Sequence, residues 1–88
     1  MNVTRYFFHC ADSTRHLDAE GIELEDLDAA HQEAIRWMGE LLTEFPQDFW
    51  SKGCLAILVT DASWNLLFSV TTMAAEPQGT SNLLRARA

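Results

Sequence analysis

The stretch from Asp26 to Pro46, DLDAAHQEAIRWMGELLTEFP, decides the fold. Asp26 is a good N-cap, because its short carboxylate can accept one of the backbone N–H groups that a helix leaves unpaired at its start. Asp28 falls in the first turn, where the helix dipole favours a negative charge, and Pro46 forbids continuation. The spacing therefore predicts a helix from Leu27 to Phe45, roughly 28 Å long at about 1.5 Å per residue. At about 100° per residue, Leu27, Ala30, Ala34, Trp37, Met38, Leu41 and Phe45 form one stripe, flanked by Ile35 and Leu42. Glu33, Arg36, Glu40 and Thr43 face away. A helix with one apolar stripe needs an apolar surface to lie on, and the chain supplies it on both sides.

Before the helix, Val3 to Cys10 reads as a strand, with Tyr6, Phe8 and Cys10 on one side and Phe7 and His9 on the other. Asp12 and Ser13 are turn formers, and Arg15 to Leu17 can return as a short antiparallel partner. Asp18 to Asp28 holds six of the 13 acidic residues (Asp18, Glu20, Glu23, Glu25, Asp26, Asp28) and forms an acidic connector. Gly21 turns it, and Ile22 and Leu24 fit a very short strand. After the helix, Pro46 to Gly53 reads as a loop whose Phe49 and Trp50 fold back onto the helix end or an interface. Leu55 to Thr60 and Leu66 to Thr72 then alternate as two strands around an Asp61 to Asn65 hairpin loop, with apolar side chains on both faces. From Glu76 the chain turns polar. The expected organisation is one domain over residues 1–75 and a flexible C-terminal tail over 76–88, with no internal repeat. The fold class is α+β: a ββαββ order, one antiparallel sheet, and one long helix packed on one face.

With 88 residues, 48% of them hydrophobic, the chain has the composition of one small globular domain. Its 6 basic residues against 13 acidic ones give a formal net charge of -7, which repels a phosphate backbone and disfavours nucleic acid as a partner. The start, MNVTRYFF, has no apolar region of signal-peptide length, and no apolar run approaches a membrane span. The expectation is a cytoplasmic protein with no membrane association, in which Cys10 and Cys54 are reduced thiols.

No motif specifies a reaction. Aligning Gly21 with the glycine of a calcium-binding EF-hand loop puts Asp18 and Glu20 at ligand positions. It also puts His16 at position one and Leu27 where the bidentate carboxylate belongs, so the acidic connector reads as a solvated face. The spacing of the three histidines and two cysteines matches no structural zinc pattern. His31 falls beside the apolar stripe and reads as a core or boundary histidine. No nucleophile elbow or glycine-rich phosphate loop is present. No cofactor is implied. Trp37 belongs to the stripe, whereas Trp50 and Trp64 fall in loops, where exposed aromatic rings mark protein contacts. Arg85 and Arg87 read as solubilising charges on the tail.

Arg5-Tyr6-Phe7-Phe8-His9, then Asp18-Ala19-Glu20-Gly21-Ile22-Glu23-Leu24, then Asp26-Leu27-Asp28-Ala29-Ala30 with Glu33-Ala34 resemble a family of short bacterial proteins of unknown function. Its members read RYFFH, D-x-E-G-x-E-L, D-L-x-A-A and a closing hairpin V-x-D-x-x-G. The resemblance covers about residues 4 to 72 and implies a shared fold and a bacterial cytoplasmic setting, and nothing about a substrate. This chain departs from the pattern at Trp64, which stands at the hairpin glycine, and at Thr71-Thr72, where Pro-Phe is common. In organisation the chain is also similar to HicB-type antitoxins, which place a strand pair and an acidic segment before an Asp-capped helix.

One helix covers one sheet face, so Phe7, Leu58 and Leu67 are expected on an uncovered face with Trp64 at its margin, and Trp50 is a further exposed contact. The reading is a non-enzymatic protein-interaction or regulatory protein acting as a homodimer. One alternative is a small enzyme or metal-binding protein using His9, His31 and the acidic connector. The other is a HicB-like antitoxin binding a basic protein partner.

Overall fold

Asp26 opens the long helix: its Oδ1 accepts the Ala29 N–H at 2.9 Å, with Asp26 itself in extended backbone. The computed structural model describes residues 3–11 and 15–76. The expected turn formers Asp12 and Ser13, and the tail from Pro77 onward, lie outside the described residues. Helix α1 spans Leu27–Glu44 and closes with the Phe45 N–H donating to the Leu41 carbonyl at 3.0 Å.

The segment read as a loop is a second helix, α2, over Pro46–Lys52. Pro46 ends one helix and begins the next, since at the first helical position its missing N–H is no loss and its φ is already helical. Gly53, at φ 86°, caps α2 and donates its N–H to the Phe49 carbonyl at 2.8 Å. Phe49 is half-buried against the core, as the folding-back reading requires, while Trp50 is exposed.

Among the described residues five strands make the sheet: β1 (Thr4–Ala11), β2 (Arg15–His16), β3 (Ile22–Leu24), β4 (Cys54–Thr60) and β5 (Leu66–Met73). All pairings are antiparallel. β1 is central: β4 runs along one edge of it, and β5 lies outside β4. Its other edge is shared by two short strands, β3 opposite Thr4 to Tyr6 and β2 opposite Cys10 and Ala11. The chain is α+β with the expected ββαββ order; β3 is the very short strand expected at Ile22 and Leu24, and α2 is added.

The core lies between α1 and one sheet face and is built from Tyr6, Phe8, Ala30, Ala34, Met38, Leu55, Ile57 and Val59. Register explains the membership: Phe8 pairs with Val59 and Val59 with Phe68, while Cys10, Ile57 and Val70 form the next row on the same face. Ala30 and Ala34 are fully buried, and their small side chains let the helix sit close to the strands. The stripe is narrower than its sequence pattern. Trp37, Leu41 and Leu42 are half-buried at its borders, and Leu27, Ile35 and Phe45 are exposed. Trp37 leans on Phe8, ring centroids 6.0 Å apart. Cys10 and Cys54 are not bridged. Among the described residues, no helix is long and apolar enough to cross a membrane.

Candidate interaction face

The sheet face away from α1 carries Phe7, His9, Leu58 and Thr60, the side chains that alternate with the core rows. Two loops shape it, and each is organised by one aspartate.

Asp18 sits where β2 and β3 leave β1 unpaired. Its Oδ2 accepts the Phe8 N–H at 3.2 Å, replacing a missing ladder bond, and its Oδ1 accepts the N–H groups of Glu20 and Gly21, each at 3.0 Å. Burial pushes the Asp18 carboxyl up, but the donors from Gly21, Glu20 and Phe8 outweigh it and hold the group below the usual carboxylate range. Gly21, at φ 74°, admits no side chain. A Cβ there would stand 2.8 Å from the Arg5 Cγ and 3.0 Å from both a Phe7 ring carbon and the Tyr6 carbonyl oxygen. Phe7 is half-buried beside Gly21.

The backbone N–H of Asp18 donates to His9 Nδ1 at 3.0 Å. That nitrogen must therefore be the unprotonated one, so Nε2 carries the hydrogen and donates to Thr60 Oγ1 at 2.9 Å. His9 and Thr60 are both buried, and their partners account for it.

The indole of Trp64 stacks on the His9 ring, with centroids 5.0 Å apart and planes 14° apart. Asp61 builds the loop that presents it. Its Oδ1 accepts the N–H of Ser63 at 2.8 Å and of Asn65 at 3.0 Å, and its Oδ2 accepts from Asn65 Nδ2 at 3.0 Å. The Asn65 side-chain donor, with the Asn65 and Ser63 N–H groups, holds the Asp61 carboxyl below its ordinary range. Within this loop Trp64 has φ 68°, the one positive φ outside glycine among the described residues. Glycine is the residue that adopts this backbone region without steric cost, and here a tryptophan occupies it. The ring is still 61% exposed, as are Leu17 and Leu66.

These side chains enclose a shallow hollow of about 360 Å³ lined by His9, Leu17, Leu58, Thr60, Trp64 and Leu66. Of the sequence-expected contacts, the hollow brings together Leu58 and Trp64. Phe7 lies outside its lining, covering Gly21. Leu67 is also outside: the register shifts at Thr60, which pairs with Leu66, so Leu67 is left between Leu66 and Phe68 without a partner on β4. Trp50 is remote, on α2, its ring edge-on to Phe49. Leu66 escapes a sequence reading because nothing in the adjacent pair Leu66-Leu67 reports a register shift, and Leu17 because the residues it meets in the hollow, Leu58, Trp64 and Leu66, are distant in sequence. Asp18, read in the sequence as part of a solvated acidic face, was missed as well: an aspartate three residues before a glycine is the signal that could have found a side chain accepting from the turn it begins.

His9 and His31 do not meet. His31 lies on α1, exposed, with its ring edge against Phe68, 4.5 Å between centroids, on the helix side of the sheet. His9 is on the other side. Among the described residues no group of three or more His, Cys, Asp or Glu side chains is placed to hold a metal ion. A second groove, of about 320 Å³, lies between α2 and the end of the sheet, where Cys10 and Cys54 both contribute to its lining.

Fold and face together define a two-layer α+β domain with helices on one side of its sheet and an aromatic hollow on the other. The model of one family, described as a domain of unknown function (DUF6894), matches residues 5–74, and the chain belongs to that family. No curated protein matches the chain, and no solved structure does.

Proposed function

We propose that the domain is a non-enzymatic protein-interaction module that works as a homodimer and receives a partner's apolar segment on the sheet face opposite α1. The observation that carries this reading is Trp64, a large apolar ring kept exposed at φ 68°. A non-glycine residue in that backbone region costs on the order of 1 kcal/mol, and the inference runs from such an outlier to a function outside the fold. Rigid, partly wet aromatic rings beside small apolar hollows are the usual anchors of protein interfaces. Leu58 and Leu66 supply the floor and rim, and the net charge of -7 favours a basic partner, the feature shared with the antitoxin-like alternative. The enzymatic alternative loses support because His9 is fully engaged with Asp18 and Thr60, away from His31. Two unbridged thiols suit a reducing compartment, and the bacterial cytoplasm is the setting proposed.

The test is selection of binders to the full chain from a displayed library of random linear peptides, followed by measurement on Trp64→Gly. The selected peptides should be rich in aromatic and aliphatic residues with arginine or lysine, and should bind the variant at least about tenfold more weakly. Peptides that bind Trp64→Gly equally well, or a library that yields none, would defeat the reading.

A further inference from the structure

We infer that the homodimer forms at the free edge of β5, two copies pairing this strand antiparallel about a two-fold axis normal to the sheet. The inference rests on the homodimer named in the proposed function and specifies its surface.

The two edges of the sheet are built in opposite ways. On the β2 and β3 side the edge is broken into strands of two and three residues. Between them the Asp18 carboxylate has taken the Phe8 N–H, and Arg5 and Glu23 stand across β1 and β3 with their charged ends 3.6 Å apart. Short strands, charges and a side chain that consumes a ladder donor are the devices by which proteins prevent a sheet edge from recruiting another strand. β5 has none of them from Phe68 onward. It is eight residues long, LLFSVTTM, and from Phe68 to Met73 its pairing with β4 is regular. Among the described residues no strand pairs its outer edge. The register shift lies at the Leu66 end only.

Charge points to the same edge. From Ala62 to Ala75 the sequence contains no Asp, Glu, Lys, Arg, Pro or Gly, and it has no longer run free of charged residues. Two copies that each carry -7 meet at least cost where neither presents charge. The exposed side chains of this edge are neutral: Ser69, Thr71 and Met73. Backbone pairing there satisfies the unpaired N–H and C=O groups of both strands with no change in side-chain packing. A two-fold axis normal to the sheet makes neighbouring strands antiparallel and leaves both copies facing the same way. Both α1 helices then lie on one side of a continuous sheet, and both Trp64 hollows lie open on the other, so the pair presents two binding hollows to one partner.

Sedimentation equilibrium of the full chain at high micromolar concentration should give the mass of two chains. Ser69→Lys with Thr71→Lys, which puts the missing charges on the edge, should give the mass of one chain with an unchanged far-UV circular dichroism spectrum. Trp64→Gly should still give two. A single-chain mass for the unmodified protein overturns the inference, as does a folded double-lysine variant that stays paired. A monomeric Trp64→Gly also overturns it, because the hollow and not the edge would then hold the pair. Peptide binding retained by the double-lysine variant separates this outcome from failure of the proposed function. If the lysine variant does not fold, amide hydrogen exchange on the unmodified chain decides. Among Phe68 to Met73, protection that falls on dilution at the amides pointing away from β4 supports the edge. Protection of those same outward amides that is independent of concentration means that the chain's own C-terminal residues cover them, and overturns the inference.

Discussion

Two residues of the Asp18 turn, Asp18 and Gly21, do structural work that their neighbours cannot take over, and Trp64 on the same side of the sheet does not. Asp18 accepts three backbone N–H groups with two oxygens, and Asn at that position retains only one acceptor. Asp18→Asn should cost about 1–3 kcal/mol in urea unfolding at neutral pH. The pH dependence has a fixed sign. The folded-state carboxyl is held below its ordinary value, so its contribution is present above the unfolded pKa and is lost as pH falls through the folded one. The stability gap between the two proteins should therefore be full at neutral pH and shrink below about pH 4. A gap that widens with acid would contradict the assignment. Gly21 is irreplaceable for two reasons at once. Its φ is 74°, and a Cβ added to it would stand 3.0 Å from the Tyr6 carbonyl oxygen, which belongs to backbone and cannot swing aside. Gly21→Ala should cost at least about 1–3 kcal/mol by thermal or urea unfolding. Trp64→Gly is the converse case. Relief of the left-handed backbone and loss of the His9 stack oppose each other, and stability should stay within about 1 kcal/mol of the parent chain. A large loss would make Trp64 a structural residue and remove the observation on which the proposed function stands.

Among the elements, those bounded by local chemistry were legible in the sequence. Asp26 and Pro46 bracket α1 to within one residue because both signals act on the backbone beside them. Replacing that cap, Asp26→Ala, should cost about 0.5–2 kcal/mol in urea unfolding, with the Ala29 N–H left unpaired. α2 was not legible. Its seven residues are too few to show a period, and Pro46 reads equally as a stop and as a first position. Gly53 was the overlooked signal, since a glycine at that distance closes a helix through its positive φ. The helix stripe was overdrawn for a related reason. Periodicity reports which residues share a side, and the width of the surface opposite decides which are buried: Ala34 and Met38 are, and Ile35 and Leu27 are not. In the candidate site, strand alternation correctly separated His9 from Phe8. What alternation cannot supply is the long-range part, the Thr60 hydroxyl and the Trp64 ring that cover His9 from the other end of the chain.

Charge sets the behaviour of the whole molecule, and it gives homodimer and basic partner opposite signatures. Two bodies of charge -7 repel when they meet. With centres roughly 25 Å apart in water without salt, that repulsion is about 8 kcal/mol. The screening length is about 30 Å at 0.01 M salt and about 8 Å at 0.15 M, so most of the repulsion disappears between these conditions. Pairing at the uncharged β5 edge leaves the attractive terms, backbone hydrogen bonds and apolar contact, nearly untouched by salt. The dissociation constant of the homodimer should therefore fall by about tenfold or more over that range. A basic segment bound on the Trp64 face loses attraction over the same range, and its dissociation constant should rise. Sedimentation velocity for the first and calorimetric titration with a selected basic peptide for the second, each at the two ionic strengths, read the signs separately. A self-association that weakens with salt would mean that complementary charges hold the two copies together. The β5 edge has no charges to supply, so that result would move the contact to another surface.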